Sequence, residues 1–305
     1  MYDPAAFDPP PGIMMQVAPG VRRLLAPNPS PMTYRGTNTY VVGQGRVAVI
    51  DPGPDDLRHL AALEAGLAGE VISHILVTHA HLDHSPMARV LAARCGAPVL
   101  AFGAAAAGRS ALMRRLVRTG GLGGGEGVDA AFRPDLCLPD GAVIDGAGWR
   151  LTAHHTPGHM ANHLCFALGD TVFSGDHVMG WSTSLVSPPD GDLGAFMASC
   201  AGLRTLAPAR LLAGHGAPVD DAVSRIDALI AHRTARSAQI IAALSDTPQS
   251  IGCITTQVYA DLTPPLIPAA RRNVFAHLID LVSKSQAQAM PDLSQSAHFK
   301  RWADL

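Results

Sequence analysis

The octapeptide Thr78-His-Ala-His-Leu-Asp-His-Ser85 places three imidazoles and a carboxylate within six residues, and it constrains this chain more than any other feature. His79 and His81 stand two apart at the end of the β-rich run Val71–Val77, so an extended backbone projects both from one side. Asp83 and His84 follow as the chain turns into a helix opened by Ser85-Pro86. Four donors thereby converge, and neutral imidazoles with one carboxylate suit zinc; iron and manganese accept the same set. The histidines as a whole point the same way, since ten of the 14 lie between His74 and His215.

The rest of the chain reads as an α/β protein. Thr39–Val42 and Arg46–Ile50 form a hairpin signal around Gly43-Gln-Gly45, followed by a helical spacing over Asp55–Leu67 and the Val71–Val77 strand. Further expected elements are the Ser85–Cys95 helix, the Pro98–Phe102 strand and a helix over Ala104–Arg118. Gly120–Gly127 is too glycine-rich for regular structure and is expected to form a mobile surface loop. Short strands at Trp149–Ala153, Leu164–Leu168 and Thr171–Phe173, a helix over Ala195–Leu206 and a strand over Ala209–Ala213 complete two half-sheets with outer helices. A long helix, Pro218–Leu244, carries the boundary between a first domain, 1–230, and a second region, 231–305. Beyond that helix the strands are expected to stop. Helices over Ser250–Leu262 and Ile267–Ser285 follow, with a loosely held tail from Gln286.

Composition narrows the function classes. With 305 residues, 48% hydrophobic and 16% charged, the chain can bury a core without disulfides and is not disordered. A net charge of -2 gives no global field toward nucleic acid or acidic lipid. Five dispersed cysteines without a CxxC pair read as buried small hydrophobes in a reducing compartment. The proline-rich lead shows no signal-peptide core, and no run of about 18 apolar residues could span a bilayer, so a cytoplasmic location without membrane contact is expected.

Three further pieces each follow an expected strand: Thr156-Pro-Gly-His159, Ser174-Gly-Asp176 and Gly214-His215-Gly216. Glycine beside a donor lets the backbone approach an ion, and strand-end loops are where sites gather. With Asp51 after an early strand, this ordered set resembles the metallo-β-lactamase superfamily in its glyoxalase II-type branch. The likeness covers roughly residues 35 to 220. Gly36-Thr-Asn-Thr-Tyr40, Gly175-Asp-His-Val-Met-Gly180 and Ala231-His-Arg-Thr-Ala-Arg236 are similar to the lactamase-beta-2-like proteins. That resemblance implies a four-layer αβ/βα sandwich with a C-terminal winged-helix-like appendage. It also implies two divalent ions, most simply zinc, one on His79, His81 and His159 and the other on Asp83, His84 and His215. Asp176 would bridge the ions, and Asp51 would sit behind them, hydrogen-bonding a ligand.

Two cations sharing a water would bring its pKa toward neutrality and supply a hydroxide that Asp83 orients. Asp83 and Asp176 are therefore the expected catalytic carboxylates. The expected reaction is attack on an ester, thioester or related carbonyl of a small molecule. An endoribonuclease-like cleavage of single-stranded RNA, as in an animal member of the family, is the first alternative; a persulfide dioxygenase or other redox metal module is the second. His163, four after His159, and Trp181, after the Asp176 motif, are the candidate substrate contacts. His74, His154, His155 and His177 read as structural, and His59, His277 and His298 have no partner in the sequence. The appendage is expected to gate the site, bind nucleic acid or join two copies into a homodimer.

Overall fold

The computed structural model describes residues 7–119, 122, 127–260 and 263–302, so the Gly120–Gly127 loop expectation lies almost wholly outside the described residues. Seven strands lie side by side in chain order: β1 (Met15–Ala18), β2 (Val21–Leu25), β3 (Asn38–Val42), β4 (Arg46–Ile50), β5 (Val71–Leu76), β6 (Val99–Ala101) and β7 (Leu136–Cys137). The first four pair antiparallel, whereas β4 to β7 are parallel. Parallel neighbours need crossovers, which α1 (Leu57–Gly66) and α2 (Pro86–Cys95) supply between β4, β5 and β6. A third helix, α3 (Ala111–Arg118), precedes β7.

The second sheet contains β8 (Val143–Gly146), β9 (Trp149–His155), β10 (Leu164–Leu168), β11 (Thr171–Gly175) and β12 (Arg210–Ala213), in the order β12-β11-β10-β9-β8. Helix α4 (Leu193–Thr205) carries the chain from β11 to its parallel partner β12. The two sheets face each other across Tyr40, Ile50 and Leu76 on one side and Leu164, Phe166 and Phe173 on the other. Leu60, Leu63 and Leu91 seal α1 and α2 onto the outside of the first sheet. Phe196 and Leu203 of α4 seal the second. The result is the four-layer αβ/βα sandwich, held together by burial of these apolar faces.

Helix α5 (Ala222–Ala243) is shared between two cores. Ile226 and Leu229 pack in the sandwich, while Ile240 and the following Leu244 pack with Ile254, Val274, Leu278 and Phe299. The C-terminal part contains β13 (Gln249–Ser250), α6 (Ile251–Val258), α7 (Ile267–Ser283), β14 (Ala287–Met290) and β15 (His298–Arg301), with the strands ordered β13-β15-β14. Three helices against a small antiparallel sheet form a winged-helix-like unit.

This part corrects two expectations. The strands do not stop after the long helix, and the tail is not loose. Residues 287–301 form an antiparallel pair whose Phe299 is fully buried. The lead also contains β1 and β2, and the Ala104–Arg118 helix shortens to α3 because Gly108 takes a left-handed φ of 82° and Ser110 caps from Met113 N–H. Of the cysteines, only Cys165 and Cys200 are buried; Cys95, Cys137 and Cys253 are exposed thiols.

Candidate metal centre

Strand ends build the site. Asp51 closes β4, the 79–84 loop follows β5, His159 lies in the loop after β9, Asp176 follows β11 and His215 follows β12. The last approach depends on Gly214, because a Cβ there would fall 2.4 Å from Asp176 Oδ1. The seven sequence-predicted donors gather as two groups, His79, His81, His159 with Asp176, and Asp83, His84 with His215. In the first, His81 Nδ1 lies 2.9 Å from His79 Nε2 and 3.1 Å from His159 Nε2. In the second, Asp83 Oδ2 is 3.2 Å from both His84 Nε2 and His215 Nε2. Asp176 lies between the groups, 3.2 Å from His215 Nε2, 3.5 Å from His84 Nε2 and 3.7 Å from His159 Nε2.

Protons decide what this arrangement can hold. Thr78 Oγ1 donates to Asp51 Oδ2 and so accepts the Nδ1–H of His79 at 2.9 Å. His159 Nδ1–H donates to Leu185 O and His215 Nδ1–H to Gly36 O, carbonyls that can only accept. His84 Nδ1–H donates to Asp51 Oδ2 at 2.9 Å. A neutral imidazole has one N–H. With all four imidazoles neutral, as metal ligands are, four Nε2 lone pairs point inward, those of His84, His159 and His215 toward carboxylate oxygens that are also acceptors. Metal cations satisfy such a set, and the two groups of donors fit two of them.

Electrostatics divides the groups. Burial pushes the His79 and His159 pKa values down, and that of His81 to about 3, which keeps all three neutral and basic toward a metal. Burial opposes charge at His84 and His215 as well. There the carboxylates outweigh it: Asp83, Asp176 and Asp51 hold His84 well above the ordinary histidine range, and Asp176 and Asp83 raise His215 to about 10. Positive charge is thus favoured where a second cation would sit.

The stretch Gly36–Tyr40 braces this second group, a role the sequence did not disclose. Thr37 Oγ1 donates to Asp83 Oδ2 at 3.1 Å, and Asn38 Nδ2 donates to Ala213 O and Gly216 O on either side of the His215 turn. Thr39 Oγ1 donates to Asp51 O, and Tyr40 OH to Ala213 O. Asp51 itself takes a left-handed φ of 50°, and its Oδ1 accepts the Thr78 N–H at 2.7 Å. Ser85 makes no cap to its own helix; its single hydroxyl proton is shared between Asp129 Oδ2 at 2.8 Å and His81 O at 3.0 Å, fixing the histidine loop.

The other histidines divide differently. His163 is not on the cavity wall as expected for a substrate contact; it is fully buried behind His79, with Nδ1 on Thr156 Oγ1. His177 points away toward Cys200 and Phe196. His155 stacks on Phe102 and His74 meets the edge of Trp149. His59 and His277 do have partners, Thr39 and Ser237. A cavity of about 360 Å³ opens over the donors, walled by Met32, Met160 and Leu185 and, from α7, by Pro268, Ala269 and Arg272. Trp181 stacks on Tyr34 and lines an adjoining cavity instead.

Residues 32–215 match the family model described as the metallo-beta-lactamase superfamily. This chain belongs to that superfamily. It is an enzyme of the metallo-β-lactamase fold. It is 31% identical to the Beta-lactamase-like protein 2 homolog of Drosophila melanogaster, a match covering 91% of each chain. It is 30% identical to an Atrochrysone carboxyl ACP thioesterase of Claviceps purpurea, over 81% of this chain and 74% of that one. Among solved structures it resembles a metallo-beta-lactamase family protein from Thermus thermophilus, with a TM-score of 0.74 and 26% identity over 93% of this chain and 99% of the other. Among the described residues, no helix is long and apolar enough to cross a membrane.

Proposed function

We propose that the protein is a metal-dependent hydrolase of a small ester or thioester. The carrying observation is the convergence of seven donors, His79, His81, Asp83, His84, His159, Asp176 and His215, of which five line one cavity. His79, His81 and His159 would hold one ion, and Asp83, His84 and His215 the other, with the Asp176 carboxylate shared. When bound, two divalent cations such as zinc supply an activated water near neutral pH and polarise the substrate's carbonyl oxygen.

The chain's own residues do the rest. Asp83, whose side chain is 24% exposed, faces the cavity and can take up a proton from the attacking water. Thr37 Oγ1 holds the carboxylate in that orientation. Met32, Met160 and Leu185 exclude bulk water from one side, which strengthens every charge interaction at the floor.

The cavity volume favours a small acyl group over a polymer, because about 360 Å³ sits at the low end of the ~300–1,000 Å³ of small-molecule pockets. The relative named as a carboxyl ACP thioesterase supports a thioester within that class. A panel of activated esters, thioesters, phosphodiesters and short RNA, each with and without chelator, tests the reading. Chelator-sensitive turnover of thioester or ester is the expected result. Turnover of RNA or phosphodiester alone would overturn it, as would metal-dependent oxygen uptake without hydrolysis.

A further inference from the structure

A second cavity, of about 320 Å³, shares Met32, His159, Asp176, Leu185 and Ala269 with the wall of the first and runs from it toward α5. Two arginines one turn apart on that helix line its far part, Arg233 and Arg236. Arg233 is only 2% exposed. Its Nη1 donates to Asn273 Oδ1 at 2.6 Å and its Nη2 to Ser184 O, but Nε is buried with no partner. Arg236 lies 4.0 Å from the Tyr259 ring centroid and donates once, to Val258 O at 3.1 Å.

Neither arginine meets a carboxylate among the described residues. Two other part-buried arginines do meet carboxylates, Arg22 with Glu70 and Arg109 with Asp190, each at 2.5 Å, whereas Arg225 is held by two backbone carbonyls and Arg23 by the Phe7 ring and the Met15 sulfur. A guanidinium does not deprotonate to escape burial, so an unpaired one in a cavity wall is costly unless an anion arrives. Burial does push the Arg233 pKa down, and no neighbouring carboxylate offsets it. The donors left are Arg233 Nε and the Arg236 nitrogens not used on Val258 O, beside an aromatic surface made by Tyr259 and Trp181. That combination suits a singly or doubly charged oxyanion that takes hydrogen bonds chiefly from Arg236.

We infer that this side cavity binds the anionic end, a carboxylate or a phosphate, of the substrate whose scissile bond lies at the metal centre. The inference rests on the hydrolase reading for its substrate but not for its anion. Arg233 also ties Ser184 and Asn273 together, so Arg236 is the position to substitute. The probes are three 4-nitrophenyl esters: the butyrate, the hemisuccinate and the 3-phosphonopropanoate.

The expected result is that wild type prefers an anionic ester by kcat/KM, and that Arg236→Gln reduces that preference by about tenfold or more, mainly through KM. Arg236→Lys should restore part of it. The larger effect among the two anionic esters identifies carboxylate or phosphate. An anionic-to-neutral ratio equal in wild type, Arg236→Gln and Arg236→Lys would overturn the inference. Should none of the esters be cleaved, the hydrolase reading fails while the pocket stays testable by calorimetry with the uncleaved amides succinanilate and butyranilide. Succinanilate binding that is stronger than butyranilide binding and weakened about tenfold by Arg236→Gln supports the pocket; equal binding of both amides overturns it.

Discussion

Asp51→Asn isolates the logic of the centre without touching a proposed ligand. The buried Asp51 carboxylate accepts three hydrogen bonds, from Thr78 N–H (2.7 Å), Thr78 Oγ1 (2.7 Å) and His84 Nδ1–H (2.9 Å). Asparagine keeps one oxygen, which Thr78 N–H can hold, and presents an NH2 where Oδ2 was. That NH2 meets the His84 Nδ1–H, donor against donor. His84 can relieve the clash only by moving its proton to Nε2, the atom that faces Asp83 and Asp176. The lone pair is then lost to the second ion, along with a charge-assisted hydrogen bond worth about 1.5–3 kcal/mol. Outer partners of metal-binding histidines typically change affinity by about 10–100-fold, or about 1.4–2.8 kcal/mol, in the same range. Stepwise metal titration against a competing chelator should therefore show the ion on Asp83, His84 and His215 weakened by that factor, and the ion on His79, His81 and His159 weakened less. Two wild-type affinities would refute the proton accounting, and equal weakening of both would refute the division into two groups.

Three other outcomes follow from the same geometry. Protein purified without chelator should carry about two transition-metal ions per chain by elemental analysis, since seven donors exceed one tetrahedral ion; a value near one, unchanged in Asp83→Ala, would contradict two-ion binding. Gly36→Ala should destabilise the fold by about 1–3 kcal/mol, read as a fall in thermal midpoint, because φ is 135° and the new Cβ would lie 2.1 Å from Ala26 O; an unchanged midpoint contradicts the strain. His277, held by burial and then by Arg233 and Arg236 to a pKa of about 3, binds fewer protons folded than unfolded. Its contribution is complete above the unfolded value near 6.5 and falls by up to about 1.4 kcal/mol per pH unit as the pH drops toward 3. Urea unfolding between pH 7 and 5 should thus show a shallower loss of stability in His277→Gln, and an identical slope would exclude His277 as a contributor.

What the sequence disclosed depends on how local the signal is. The 79–84 cluster and the glycine-flanked His159, Asp176 and His215 announce themselves because each motif carries its chemistry within a few residues. The bracing by Thr37, Asn38 and Tyr40 does not, since Asn38 and Tyr40 reach backbone oxygens more than 170 residues away. Leu185 O and Gly36 O, which fix the tautomers of His159 and His215, are backbone acceptors that no residue type betrays. Strand β2 was hidden because Arg22 and Arg23 interrupt its apolar pattern; the fold admits them by pairing Arg22 with Glu70 and laying Arg23 over Phe7. Strands β14 and β15, at four residues each, are too short for a period of two to stand out.

The C-terminal unit shows why ligand positions alone do not define the site. Every proposed metal donor precedes residue 216, which would make residues beyond α5 dispensable on chemistry alone. Packing contradicts that independence: Met113 and Leu116 of α3 belong to the same core as Ile254, Val274 and Phe299, so the appendage buries apolar surface of the sandwich as well as its own. Pro268, Ala269 and Arg272 at the start of α7 then form part of the cavity wall. Arg233, reaching from α5 to Ser184 on one side and Asn273 of α7 on the other, locks that wall to the loop that also supplies Leu185 O to His159. Three hydrogen bonds therefore link the appendage to His159, although none of the seven donors lies in the appendage. Cavity shape and imidazole orientation are set by one continuous piece of structure, and substrate selection can evolve in the appendage while the donor set stays fixed.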